Sequence, residues 1–83
     1  MKVHVFKATK MGWDNESEGV WFDTDLYTRE QAEAQFVPVE KMCEKNGGYY
    51  PYTCYEYDGQ TYHHYVYLGI FDYEHMPNVS TWF

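Results

Sequence analysis

The sequence predicts an α+β fold: a small antiparallel sheet of about four strands, in the order β-β-α-β-β, packed on one face by a single helix. Three observations predict it. "KVHVFKAT" alternates like a strand, "TREQAEAQF" opens with helix-start chemistry, and Asp58-Gly59 divides a long tyrosine-rich stretch as a hairpin turn would.

In the first strand Val3 and Val5 share one face, while His4, Phe6 and Ala8 share the other. Apolar residues on both faces predict cover on both sides. "MGWDNESEG" breaks the alternation, and "VWFDT" predicts a short second strand joined to the first by a long loop.

Thr28 followed three residues later by Gln31 is a capping box, so a helix is expected from about Arg29. Ala32, Phe36, Val39 and Cys43, with Met42 beside them, recur at helical spacing and predict one apolar stripe. Pro38 interrupts this run and predicts a kink, because it lacks an amide proton and crowds the carbonyl of Ala34. Asn46-Gly47 is expected to close the helix as a left-handed cap.

Nine of the ten tyrosines fall between Tyr49 and Tyr73. The Asp58-Gly59 turn sets a register pairing Tyr57 with Gln60, Tyr55 with Tyr62, Cys54 with His63 and Tyr52 with Tyr65. Alternation then places Thr53, Tyr55, Tyr57, Tyr62, His64, Val66, Leu68 and Ile70 on one face. Because aliphatic side chains need no polar partner when buried, that face is expected to meet the helix. Tyr52, Tyr65 and Tyr67 are left on the outer face beside His63 and Glu56. The tail "HMPNVSTWF" is expected to form a short edge strand or to cover an apolar gap.

Eighty-three residues imply one domain, 1–83, and a 22% aromatic content compensates for the thin core of so short a chain. Neither a membrane helix nor an export signal is expected, which suits a cytoplasmic protein, in the host cytoplasm if the chain is viral. Cys43 and Cys54 are expected to be free thiols, lying toward opposite sides of the predicted sheet.

Net charge is −7, from six bases and 13 acids, and residues 47–83 contain no base. Direct binding to nucleic acid or to an anionic membrane is disfavoured, since both require cations to replace counterions. A basic protein partner is favoured, in particular one that itself binds nucleic acid.

No catalytic residue, metal site or cofactor is expected. His63 and His64 are adjacent on a strand and point apart, Cys54 and His63 would supply two ligands where a structural zinc needs four, and no phosphate loop or nucleophile elbow occurs. The stronger signal is "WDNESEGVWFDTD". Asp14, Glu16, Glu18, Asp23 and Asp25 fall within it, and if extended Asp14, Glu16 and Glu18 would line one side at about 6.6 Å intervals. Glu40 and Glu44, interleaved with Lys41 and Lys45, look instead like a mixed-charge helix face.

The expected partner-binding residues are therefore Asp14, Glu16, Glu18, Asp23, Asp25, Tyr52, Glu56, Tyr65 and Tyr67. Arginine both stacks on aromatic rings and pairs with carboxylates, so such a surface suits a cationic partner. The chain carries no motif of a known family. In composition alone it resembles small acidic inhibitors, often viral, that occupy the nucleic-acid-binding surfaces of restriction or CRISPR proteins. That likeness implies a non-enzymatic inhibitor or nucleic-acid mimic. The alternatives are a homo-oligomeric assembly protein using its tyrosine-rich face, and an aromatic pocket for a small ligand.

Overall fold

A computed structural model of the chain describes residues 1–11 and 16–76. Its elements are β1 (Lys2–Lys10), β2 (Ser17–Asp23), α1 (Arg29–Glu33), β3 (Val37–Lys45), β4 (Gly48–Tyr57), β5 (Gln60–Asp72) and a 3₁₀ turn at Tyr73–His75. The five strands form one antiparallel sheet in the order β2-β1-β5-β4-β3.

β1 is an interior strand, between β2 and β5, and is covered on both sides, as its composition predicts. Val3, Val5, Phe6 and Ala8 are fully buried and His4 nearly so. β2 is longer than expected and pairs with β1 from Val3↔Asp23 to Thr9↔Ser17. The capping box forms as predicted: the Gln31 amide donates to Thr28 Oγ1 at 3.1 Å, and the Thr28 amide donates to Gln31 Oε1 at 2.9 Å.

The helix does not continue. It ends at Glu33, and the segment read as its second half is β3, which pairs with β4 from Val37↔Glu56 to Lys45↔Gly48. Pro38 therefore makes no kink. A proline disfavours the helical region for the residue before it, which here is the β-branched Val37. The Asn46-Gly47 pair then supplies a tight hairpin turn instead of a helix cap, with φ of 54° and 80°.

Asp58-Gly59 makes the second such turn, with φ of 49° and 77°, and the predicted pairs Tyr57↔Gln60 and Tyr55↔Tyr62 are present. The register is not carried further. Against β1, partners step from Tyr62 to His64 and from Tyr67 to Gly69, leaving His63 and Leu68 unopposed as bulges.

Each bulge reverses the alternation. Tyr62, Tyr65 and Tyr67 consequently lie on the same face as Phe6 and Ala8. The core there is aromatic: Phe6, Ala8, Val20, Phe22, Ala32, Phe36 and Tyr62 are buried, with Tyr27, Tyr55, Tyr57, Tyr65 and Tyr67 packed against them. Phe36 stacks on Tyr65 at 4.4 Å and 14°, and Phe6 lies 5.2 Å from Tyr67.

The expectation that Tyr65 and Tyr67 face outward, with Val66, Leu68 and Ile70 in the core, is thus corrected. Val66 and Ile70 are exposed. Tyrosine hydroxyls proved no obstacle to burial because partners lie within reach. Tyr67 Oη donates to His4 Nδ1 at 3.0 Å, while His4 Nε2–H donates to the Tyr27 carbonyl at 3.0 Å. Asp14 and the tail residues 77–83 lie outside the described residues.

Candidate binding surfaces

Beyond Tyr55, β4 leaves β5 and runs on with β3 as a two-stranded ribbon tipped by Asn46-Gly47. Directly opposed residues of an antiparallel pair share a face. Glu40, Met42 and Glu44 therefore share one with Thr53, Pro51 and Tyr49, and Lys41 falls on the other with Tyr52, Cys43 and Tyr50.

Helical spacing had mixed these charges; strand spacing separates them. All six residues of the first face are exposed, Met42 at 62% and Tyr49 at 71%. Among the described side chains this face carries two carboxylates, an aromatic ring and two apolar groups, with no cation. Sequence reasoning missed it because it assigned Glu40 and Glu44 to a helix. The signal that would have found it is the pair of Asn-Gly and Asp-Gly turns, twelve residues apart, which is the spacing of a meander.

The acidic segment divides differently. Glu18 lies on β2 and is engaged inside the fold: the Tyr62 hydroxyl donates to its Oε1, and Lys10 Nζ is 3.2 Å from its Oε2. Burial first, and then this carboxylate, push the Tyr62 phenol far above its ordinary range. Asp23 Oδ1 accepts from the Asp25 amide at 2.9 Å and so shapes the turn into α1. Glu16 and Asp25 are exposed. The structure thus does not present Glu18 and Asp23 as free charges in a row.

Of the expected tyrosines, Tyr52 sits on the ribbon with its hydroxyl 3.7 Å from Met11 Sδ. Tyr65 and Tyr67 line the core, and Arg29 lies over the Tyr67 ring at 4.3 Å. Glu56 is exposed at the base of the ribbon.

Cys43 and Cys54 are free thiols, as expected; Cys54 is fully buried with its thiol 3.5 Å from the Val39 carbonyl. Among the described residues no cluster of three or more His, Cys, Asp or Glu is placed to hold a metal ion, and no helix is long and apolar enough to cross a membrane. Set against protein-family models, curated proteins and solved structures, the chain matches none.

Proposed function

We propose that this chain is a non-enzymatic protein-binding module, an inhibitor or nucleic-acid mimic that occupies a basic, nucleic-acid-binding surface of a partner protein. The observation that carries the reading is the ribbon face without a cation among the described side chains, where Glu40 and Glu44 flank Met42, Tyr49 and Pro51. Carboxylates beside exposed aromatic and apolar groups suit a partner that presents arginine, which pairs with the first and stacks on the second. A two-stranded ribbon is also narrow enough to enter a groove shaped for a nucleic-acid strand. Net charge of −7 adds long-range attraction toward such a partner.

The test is competition. The partner recovered from native extracts should bind the chain at low salt, release it as salt rises toward 0.5 M, and exchange it for the nucleic acid that the partner binds. Binding indifferent both to salt and to competing nucleic acid contradicts the reading.

A further inference from the structure

The sheet has two outer edges, and they are built differently. A type I′ hairpin makes the residues flanking its turn a hydrogen-bonded pair, so Lys45↔Gly48 is bonded and alternate pairs follow. Met42↔Pro51 and Pro38↔Tyr55 then fall at non-bonded positions, where an amide would point away from the pair. Both ribbon edges thus carry proline where an outward donor would stand. Proline at such positions blocks strand addition without disturbing the ladder inside.

β2, at the opposite edge, has no such guard. The Lys10 amide donates to the Glu16 carbonyl at 2.7 Å, and the Thr24 amide donates to the Lys2 carbonyl at 3.2 Å. Even-numbered residues of this stretch therefore bond inward to β1, and Ser17, Gly19 and Trp21 direct their amides and carbonyls outward. Gly19 and Trp21 are exposed. Beside them opens a cleft of about 550 Å³, lined by Glu18, Gly19, Val20 and Trp21 of this strand, by Lys10 of β1, which pairs with Glu18, and by Asp58 across it. No strand among the described residues pairs with this edge.

We propose that β2 accepts an extended basic segment of the partner as a sixth strand, bonded through the outward groups of Ser17, Gly19 and Trp21. Charge selects the occupant. Glu16, which is exposed, and Glu18, whose Oε2 is already held by Lys10, share the helix-side face of this edge, Asp58 stands across the cleft, and Trp21 lies on the other face. Three carboxylates against the one lysine leave the edge acidic, so a peptide with cations at alternate positions meets that excess while its apolar residues meet Trp21. A second copy of β2 would bring like charges together. The proposal rests on the reading that the partner is basic.

The probe is a labelled heptapeptide, Lys-Val-Lys-Val-Lys-Val-Lys, with its Glu-Val counterpart as control. Titrated at low salt, the lysine peptide should bind at least tenfold more tightly than the control, and hydrogen exchange at the Gly19 and Trp21 amides should slow in the complex. Gly19→Pro removes one outward donor and no ladder bond, and should weaken binding at least tenfold. Exchange in the unaltered protein keeps the test decisive if that variant does not fold. Failure of the peptide to bind, unchanged exchange at both amides, or equal affinity of a folded Gly19→Pro overturns strand addition. If the peptide instead protects ribbon amides, strand addition fails while the basic-partner reading stands; if nucleic acid fails to compete for the native partner, that reading fails by itself.

Discussion

Phe36 shows how one residue decides more than the pattern around it. Helical spacing made it one of a stripe, but it sits after the helix has ended, 2% exposed, stacked on Tyr65 and within 5.4 Å of Phe6. Phe36→Ala should cost about 3–5 kcal/mol, a large share of the stability of so small a protein, and urea denaturation of the variant checks it. The buried phenols give a second residue-level expectation. Burial raises the pKa of Tyr57, Tyr62 and Tyr65 above the ordinary value, with Asp58, Glu18 and Glu33 respectively adding to it. Their neutral form is thus favoured in the folded state. The associated stability is complete below about pH 10 and is lost as pH rises toward the folded-state values. Ultraviolet titration should show these rings ionising late and together with unfolding. Ten phenols titrating as one unperturbed class would contradict their burial.

Among the elements, β1, the α1 cap and the Asp58-Gly59 turn were legible because each rests on local chemistry: alternation, a capping box, a positive-φ pair. What failed was nonlocal. Ala32, Phe36, Val39 and Cys43 fit a helix period, yet the nine pairings of β3 with β4 outweigh that period. Gly69, a mid-strand glycine with φ of 125°, is a signal for the bulge at Leu68, but nothing in the β5 sequence marks the one at His63; both occur where β5 pairs with β1 while aromatic side chains turn toward Phe6 and Phe36. The candidate site suffered from both errors, since one hid Glu40 and Glu44 and the other sent Tyr65 and Tyr67 outward. At the ribbon tip, Gly47 has φ of 80° with open space where a Cβ would stand, so Gly47→Ala should cost only the left-handed backbone strain, about 1–2 kcal/mol by thermal denaturation. The edge prolines give a sharper test. Pro38→Val with Pro51→Val restores two outward amides, and sedimentation should reveal self-association that grows with concentration. A double variant sedimenting like its parent would show that the prolines do not guard these edges.

Across the whole molecule, the ribbon stretches the shape. The radius of gyration is 14.4 Å, against about 12 Å for a compact chain of this length. An isolated ribbon of two strands is marginal by itself. This one is anchored through Tyr55 and Tyr57 to the aromatic core, which lets it carry an exposed face that adds little to folding. Charge follows the same division: Lys10 and Lys2 are held by Glu18 and Asp72 on the body of the sheet, while Glu40 and Glu44 stand on the ribbon apart from Lys41. Two ribbon variants, compared against one partner preparation at fixed salt, decide whether the acidic face makes the contact. Glu40→Gln with Glu44→Gln should weaken binding at least tenfold, while Lys41→Gln, on the opposite face, should leave affinity unchanged or raise it. Equal losses from the two faces, or none from Glu40 and Glu44, would contradict the claim that the acidic ribbon face is where this protein meets its partner.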